Sequence, residues 1–324
     1  MNAIVCEKYG PPSSLVYKDI EIKAPGPKEV QIKIHACSLN FPDTLIIQGK
    51  YQFKPELPFI PGSDIAGVIT AVGDEVNHFK VGDEVFGFTM TGGYAEMVNV
   101  SAKTIFPKPP QMSFTVAASF LLAYSTSYHA LKDRAQLKQG ETLVVLGASG
   151  GVGLAAIELG KQMGARVIAA ASTDEKLALC REHGADDIIN YSTEDLKVRI
   201  KELTDGNGAD VIYDPVGGNY SEPALRAMAY GGRFLVVGFA AGDIPKIPLN
   251  LALLKSCQIV GVFWGTFATK FPQQNMQNSM ELIQWYAQGA LTPHIHATYP
   301  LADASKALNE MLERKVMGKV VVVN

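Results

Sequence analysis

The sequence predicts an α/β protein in which a β-rich domain is joined to a domain built on a doubly wound parallel sheet. Short β-branched runs separated by Gly and Pro fill residues 1–115, which is typical of an antiparallel β domain. From residue 142 onward, strand-like and helix-like segments alternate, which indicates a parallel sheet covered by helices. A glycine-rich turn at residues 147–153 joins the first of these strands to the first of these helices.

In the β-rich part, residues 30–34, 65–69 and 84–86 are predicted strands, and residues 117–131 then predict a helix. Buried parallel strands read as short continuous apolar runs. Such runs, with helical patterns between them, occur at residues 142–146, 166–170, 188–189, 210–213, 233–237 and 258–262.

The last part of the chain departs from this alternation. Residues 276–288 and 303–314 predict amphipathic helices, and residues 319–323 predict a final strand. Because this tail cannot extend the alternation by itself, we expect it to return to the first domain. The predicted division is residues 1–122 with 263–324 for the β-rich domain, and residues 123–262 for the doubly wound domain.

Composition excludes several classes of protein. The chain has 324 residues, with 29 Lys and Arg against 32 Asp and Glu, so its net charge of −3 argues against nucleic acid as a partner. No apolar run reaches the length of about 18 residues that a membrane span needs. The first residues lack the apolar core of a signal peptide, and the four cysteines are scattered. We therefore expect a cytoplasmic protein with reduced thiols and no membrane partner.

The turn at residues 147–153 is the strongest motif for ligand binding. It follows a strand and opens a helix, the context in which glycine-rich turns bind the pyrophosphate of a dinucleotide at the helix N-terminus. Gly150 would let the backbone approach the pyrophosphate, and Gly153 would let the helix pack against the strand. Ala148 replaces the usual first glycine of the fingerprint. The predicted cofactor-binding residues here are Ser149, Gly150, Gly151 and Val152.

The end of the second strand predicts which dinucleotide binds. An acidic residue there usually holds the ribose 2′-hydroxyl of NAD, but this strand ends at Ala171 and Ser172. Ser172, Lys176 and Tyr191 offer a hydroxyl, an ammonium and a phenol to a 2′-phosphate instead, so the expected cofactor is NADPH. Two alternatives stay open: residues 172–175 form a helix capping box, or Asp174 holds the ribose.

Ligands of such sheets bind at the carboxyl ends of the strands. Three further strand ends fall at residues 214–218, 238–240 and 263–265. We expect them to line the nicotinamide half of the cofactor site, with the binding residues Gly238, Phe239, Phe263, Trp264 and Gly265.

Together these segments resemble the medium-chain dehydrogenase/reductase superfamily, in its zinc-free quinone oxidoreductase (zeta-crystallin-like) branch. The resemblance implies a GroES-like β-rich substrate domain and a Rossmann domain with a doubly wound parallel sheet. It also implies a homodimer formed through the last strand of that sheet, Gln258, Ile259, Val260, Gly261 and Val262. The likeness is carried by residues 38–43, 61–67, 81–85, 126–128, 147–153 and 184–186.

Two positions in these segments bear on metal binding. Zinc alcohol dehydrogenases of the superfamily hold their catalytic zinc with a cysteine and a histidine, at the positions of Asn40 and Ser63 in this chain. Residues 91–110, which correspond to the loop that carries four zinc-binding cysteines in those enzymes, contain no cysteine. Amide and hydroxyl oxygens are poor zinc ligands beside thiolate and imidazole. We therefore expect no metal at either site.

The resemblance also implies the catalytic residues. Asn40 would lie beside the nicotinamide ribose or carboxamide, Tyr51 and Thr126 would project into the same pocket, and Asp43 would support the loop. The favoured function is NADPH-dependent reduction of a quinone or similar activated carbonyl. Two alternatives remain: a reductase of 2-enoyl thioesters in which Tyr51 donates a proton, and a non-catalytic, crystallin-like NADPH-binding protein.

Overall fold

The computed structural model describes residues 1–324 and divides them into two compact units: unit 1 is residues 1–122 and 293–324, and unit 2 is residues 123–292. The strands, in chain order, are β1 (Asn2–Val5), β2 (Val16–Asp19), β3 (Glu29–Ser38), β4 (Asp64–Val72), β5 (Glu84–Phe88), β6 (Met97–Ser101), β7 (Ile105–Pro107), β8 (Thr142–Leu146), β9 (Arg166–Ala171), β10 (Asp187–Asn190), β11 (Ala209–Asp214), β12 (Met228–Val236), β13 (Gln258–Gly261), β14 (Ile295–Pro300) and β15 (Lys319–Val323).

Eleven α-helices accompany these strands, and short 3₁₀ or π turns connect several of them. The helices are α1 (Phe41–Ile46), α2 (Phe114–Ala118), α3 (Leu121–Tyr128), α4 (Gly151–Gln162), α5 (Asp174–Glu182), α6 (Leu196–Leu203), α7 (Ser221–Arg226), α8 (Asn250–Lys255), α9 (Trp264–Lys270), α10 (Pro272–Ala287) and α11 (Ala304–Leu312).

Unit 1 is built around a seven-stranded, mostly antiparallel sheet in the order β14-β15-β3-β4-β5-β7, with β6 paired to β3. The central strand β3 shows why this sheet forms. Its side chains alternate, so that Val30, Ile32 and Ile34 are buried while Lys33 is exposed, as expected for a strand with one face on the core. This arrangement matches the predicted β-rich domain.

The C-terminal strand β15 completes that sheet. It pairs antiparallel with β3, with Val321 opposite Ser38, and parallel with β14. Val320, Val321 and Val322 are buried, so this strand is anchored by apolar side chains. The pairing brings the start of β15 beside the segment that follows β3, a region that matters for the site.

Unit 2 contains the predicted doubly wound sheet. Its six strands lie in the order β10-β9-β8-β11-β12-β13, and every neighbouring pair is parallel. Four of the five residues of β8 are buried, as its apolar sequence predicts for a central parallel strand. The strand order reverses between β8 and β11, which is where such sheets bind dinucleotides. The predicted fold class is confirmed.

Residues 263–292 differ from the expected division of the chain. They belong to unit 2, and unit 1 resumes only at residue 293. The reason is a set of long-range contacts that the sequence pattern does not display, both aromatic, such as that between the rings of Tyr128 and Trp285 with centroids 5.2 Å apart, and polar. Lys132 donates to Asn278 at 3.0 Å, and Gln274 donates to Asp133 at 3.0 Å, so α10 is fastened to the turn that follows α3.

Two smaller predictions from the sequence are also wrong. The helix predicted at residues 117–131 is interrupted, because α2 ends at Ala118, α3 begins at Leu121 and a π-helical turn covers His129–Arg134. Trp264, expected in a loop at a strand end, is the first residue of α9. No helix of the chain combines the length and the apolar character that crossing a bilayer requires.

Candidate active site

The glycine turn connects β8 to α4 as predicted. A Cβ atom at Gly153 would stand 2.5 Å from the carbonyl oxygen of Gly147, so close packing of helix and strand demands glycine there. At Gly150 the nearest atom to such a Cβ is 3.4 Å away, an ordinary contact. The fold itself therefore tolerates a side chain at Gly150, so packing within the chain does not explain this glycine.

The other predicted residues of this turn lie together at the start of α4. Gly150 is the N-cap residue, Gly151 and Val152 form the first helical turn, and Ser149 is buried just before them. The carbonyl of Val152 accepts a hydrogen bond from the Ser127 hydroxyl at 2.8 Å. The turn is thus fixed from the side of α3, while α4 presents its free N–H groups at its N-terminus.

Ser172 and Lys176 come together at the end of β9. The ammonium of Lys176 donates to the hydroxyl of Ser172 at 3.3 Å. The capping-box alternative is wrong in register, because the N-cap of α5 is Thr173, whose hydroxyl accepts from the backbone N–H of Lys176 at 3.3 Å. Because Thr173 caps the helix, the Ser172 hydroxyl is not used for capping. It lies beside the ammonium of Lys176, an arrangement that fits a phosphate.

Tyr191 lies at the same edge of the sheet. Its backbone N–H donates to the carbonyl of Ala171 at 3.1 Å, which places it next to the end of β9, and its ring centroid lies 4.3 Å from that of Tyr220. Asp174, the rival ribose ligand, accepts a hydrogen bond from the Asn190 side chain at 2.8 Å from within the first turn of α5. All three residues predicted to bind the 2′-phosphate thus lie at the ends of β9 and β10.

Asp214, the last residue of β11, shapes the loop that lies against the glycine turn where the strand order reverses. Its buried carboxylate accepts from the backbone N–H groups of Val216 and Gly217 at 2.8 and 2.9 Å and from the Ser221 hydroxyl at 2.5 Å. A Cβ at Gly147 would stand 2.7 Å from Val216, so the two loops lie in contact. The loops that follow β8 and β11 therefore lie against each other at the carboxyl end of the sheet.

The other strand-end residues fall into two groups. Gly238 donates its backbone N–H to the Asp214 carbonyl at 3.3 Å, and Phe239 borders Gly217, so both lie beside the Asp214 loop. Phe263 exposes half of its surface, whereas Trp264 is buried and donates its indole N–H to Asn275 at 2.8 Å. Gly265 follows in α9, with no atom near the Cβ that it lacks.

Thr126 lies on α3 and is half-buried. His129, one helical turn further on, is part of the core, because its Nδ1 atom lies 2.8 Å from the Asp133 carboxylate and its ring stacks on Phe267 with centroids 4.0 Å apart.

In unit 1, Asn40 and Asp43 lie at the junction of β3 and α1. The Asp43 carboxylate accepts from the backbone N–H of Asn40 at 2.8 Å and from the Tyr94 hydroxyl at 2.7 Å. Burial raises the pKa of Asp43 to about 6, although these two hydrogen bonds act to lower it. Asp43 thus fixes the loop that carries Asn40.

The structure adds two residues that the sequence reasoning missed, Asp64 and Lys319. The Asn40 side chain donates to Asp64 Oδ2 at 3.1 Å and accepts from the ammonium of Lys319, which lies 3.9 Å from the same Asp64 oxygen. Burial raises the pKa of Asp64 to about 6 despite the opposing effect of the Lys319 charge, and it lowers the pKa of Lys319. We call Asn40, Asp43, Asp64 and Lys319 the Asn40 cluster.

Tyr51 lies after α1, half-buried against the core of unit 1. Burial raises the pKa of its phenol, and the nearby Asp43 charge adds to that effect. The group therefore stays protonated at neutral pH and can act as a donor. Its hydroxyl makes no hydrogen bond within the chain.

The positions that bind zinc in related dehydrogenases hold other contacts here. Asn40 is engaged by Lys319 and Asp64, and the carbonyl of Ser63 accepts from the backbone N–H of Thr89 at 2.8 Å. No group of three or more His, Cys, Asp or Glu side chains is placed to hold a metal ion. All four cysteines are free thiols, and Cys37 is the one beside the Asn40 cluster.

Both units match known families. Residues 26–110 match the alcohol dehydrogenase GroES-like domain, and residues 151–285 match the family described as zinc-binding dehydrogenase. The chain is also 39% identical over 99% of its length to a quinone oxidoreductase-like protein 2 homolog from Nematostella vectensis, covering 88% of that protein.

Solved structures agree with this assignment. The fold matches the Escherichia coli quinone oxidoreductase complexed with NADPH, with a TM-score of 0.94, 30% identity and complete coverage of both chains. It also matches the CurK enoyl reductase, with a TM-score of 0.90, 28% identity and coverage of 99% and 98% of the two chains. The chain therefore belongs to the medium-chain dehydrogenase/reductase superfamily, in its quinone oxidoreductase branch, and is an oxidoreductase of that branch.

Proposed function

We propose that the protein is a zinc-independent, cytoplasmic oxidoreductase that uses NADPH to reduce a quinone or a similar activated carbonyl acceptor. Bound NADPH supplies a hydride, and the residues of the chain hold and orient the two reactants. The observation that carries the proposal is the state of Asn40, whose amide oxygen accepts from a buried ammonium. A second cation beside it would be repelled, and an amide so engaged is a poor metal ligand.

The cofactor preference rests on the end of β9. The Lys176 ammonium and the Ser172 hydroxyl lie within hydrogen-bond distance of each other, where NAD enzymes place an acid. The glycine turn, with the N-terminus of α4, would hold the pyrophosphate, since no atom of the chain lies closer than 3.4 Å to the position of a Cβ at Gly150. In this proposal Gly238, Phe239, Phe263, Trp264 and Gly265 serve the nicotinamide half, together with Thr126.

An acceptor whose carbonyl is already conjugated needs little further activation to accept a hydride. After taking a hydride it becomes a stabilised anion that water can protonate. The protein then has only to hold the acceptor in a productive geometry and to offer it a hydrogen-bond donor, which suits Asn40, while the ring of Tyr51 shapes the pocket. Asp43 would keep the Asn40 loop in place.

Reduction of a 2-enoyl thioester is the second candidate. Tyr51 favours it, because its phenol is half-buried, keeps its proton at neutral pH and has no partner inside the chain. The likeness to an enoyl reductase supports the same reading. Hydride addition to an enoyl thioester gives an enolate whose α-carbon needs a proton, and a positioned acid would supply it.

An acceptor panel tests the proposal. NADPH and NADH oxidation would each be followed with a quinone, with crotonyl thioester and without an acceptor, together with NADPH binding by cofactor fluorescence. We expect quinone turnover with a preference for NADPH. Faster turnover of the thioester would favour the second candidate. Binding of NADPH without any turnover would favour a non-catalytic, crystallin-like role.

We also propose that two copies associate through β13. This strand lies at the edge of the parallel sheet, with Ile259 exposing 41% of its surface. An uncovered apolar edge of this kind invites pairing with a second copy. Light scattering at micromolar protein would give the mass of a dimer, and replacement of Ile259 by lysine would shift the mass towards a monomer. A monomeric wild type would contradict the proposal.

A further inference from the structure

The contacts of the Asn40 side chain are unusually complete for a residue expected to meet a ligand. The Lys319 ammonium donates to Asn40 Oδ1 and also to the carbonyl of Leu39, at 3.0 Å for the latter. On the other side, Asn40 Nδ2 donates to Asp64 Oδ2 at 3.1 Å. Lys319 and Asp64 expose only 7% and 1% of their side chains, so water competes little for these contacts.

The chemistry of these partners fixes which way the amide faces. An ammonium has only donors, and an ionised carboxylate has only acceptors. Oxygen must therefore face Lys319 and nitrogen must face Asp64. Turning the amide by 180° would set a donor against the ammonium and an acceptor against the carboxylate, which would leave buried groups unsatisfied.

This arrangement decides what Asn40 still offers to a ligand. Its oxygen is committed to Lys319, and one N–H is committed to Asp64. The remaining N–H has only a weak contact, 3.5 Å from the carbonyl of Ser38. The N–H that Asn40 still offers is thus a donor, while its oxygen, fixed against the ammonium, keeps only the lone pair that Lys319 does not use.

We propose that Lys319 is a positioning residue that, with Asp64, locks the Asn40 amide so that its second N–H is held ready to donate to an oxygen atom of the cofactor or acceptor. The inference deepens the proposed function and rests on it. Lys319 does not touch the ligand in this proposal and acts through Asn40. Its charge serves a second purpose, because it faces two buried carboxyls, Asp43 and Asp64.

A double-mutant cycle between positions 319 and 40 tests the inference. The variants are K319M, N40A and the double variant, and K319R retains the charge and the donors. K108M is the matched control, because Lys108 is also buried in unit 1 and also donates to backbone carbonyls and a carboxylate. Each variant is assayed for kcat and KM with the accepted substrate, for the Kd of NADPH by cofactor fluorescence, and for Tm.

We expect K319M and N40A each to lower kcat/KM by about 10- to 100-fold, the effect of losing a hydrogen bond to a charged group. The double variant should fall little further than N40A alone, because Lys319 acts through Asn40. K319R should recover most of the activity, and K108M should retain it even if its Tm falls. Losses that multiply in the double variant, or an equal loss in K108M, would overturn the inference.

Failure of the positioning role of Lys319 can be distinguished from failure of the proposed function. If the wild type reduces no acceptor, the function is wrong, and the same cycle is judged on the Kd of NADPH alone. Effects on Kd that are absent, or that are additive between the two positions, would then overturn the positioning role. If K319M does not fold, K319Q replaces it, since glutamine removes the charge from this buried site, and it is judged by the same criteria: a loss of kcat/KM that does not multiply with that of N40A supports the positioning role, and no loss overturns it.

Discussion

The carboxylate of Glu158, in the middle of α4, accepts hydrogen bonds from both the backbone N–H and the hydroxyl of Thr292, the latter at 2.5 Å. Tyr124 and His183 also hydrogen-bond to it, at 2.7 Å each. Burial acts to raise the pKa of Glu158, but these hydrogen bonds hold that pKa below its ordinary value. One ionised side chain thus holds the first and the last segments of unit 2 on the helix that begins at the glycine turn.

Replacing Glu158 by alanine should destabilise the protein by about 3–5 kcal/mol, because the change removes a buried charge and leaves its donors without an acceptor. Chemical denaturation measures the loss as a change in the free energy of unfolding. Glu182→Ala, on the exposed face of α5, serves as control and should change it by less than about 0.5 kcal/mol. Equal effects of the two changes would contradict the role of Glu158.

Lys176→Ala should weaken NADPH binding by about 10- to 150-fold and leave NADH binding nearly unchanged, since only NADPH carries the 2′-phosphate. Fluorescence titration with both cofactors measures this. Lys197→Ala, an exposed lysine on α6, is the control and should bind both cofactors as the wild type does. If Lys176→Ala loses the same affinity for both cofactors, the 2′-phosphate lies elsewhere.

Tyr51→Phe separates the two candidate reactions. For a quinone reductase we expect a change in KM for the quinone with kcat nearly unchanged, because the ring only shapes the pocket. For an enoyl reductase, kcat with the thioester should fall by about 10²- to 10⁴-fold, the usual contribution of a positioned acid. NADPH affinity should stay the same in either case. Steady-state kinetics with both substrates decide between them.

The pKa of Asp64, raised to about 6, makes stability depend on pH. The folded chain binds a proton here that the unfolded chain releases near pH 4, so the stabilisation is complete below pH 4 and is lost as pH rises through 6. The difference in unfolding free energy between wild type and Asp64→Asn should therefore shrink by about 1 kcal/mol from pH 5 to pH 7.5. Urea titrations at both values measure it, and a difference that grows with pH would reverse the assignment.

Metal removal should leave activity intact. Elemental analysis is expected to find far less than one zinc per chain, and dialysis against a chelator should not change turnover, because the Asn40 amide already serves Lys319 and Asp64. A zinc-dependent alcohol dehydrogenase treated in parallel controls for the efficiency of removal. A tightly held zinc at one per chain would contradict the proposal.

The sequence predicts most of the fold because its signals are local. Apolar runs such as that of β8, and the glycine turn before α4 in which close packing demands Gly153, are signals that lie within a few residues of the elements they form. The division of the chain failed at residues 263–292 because it depended on contacts, such as that between Lys132 and Asn278, that join segments far apart in sequence.

The candidate site shows the same limit. Ser172 and Lys176 lie four residues apart on one turn, so their approach could be expected. Lys319 and Asn40 are separated by 279 residues, and only the pairing of β15 with β3 brings them together. In sequence Lys319 reads as the polar start of an apolar strand, and no spacing rule connects it with an asparagine near residue 40.

That separation has a consequence for the order of assembly. At about 5–20 residues per second, a ribosome reaches Lys319 roughly 14–56 s after it has made Asn40. During that interval β3 and β4 bring Asp43 and Asp64 towards an interior without the cation that compensates them. The whole of unit 2 is synthesised in the same interval and can fold first. Until β15 is made, the nascent sheet of unit 1 thus has two acids to bury and no Lys319 to compensate them.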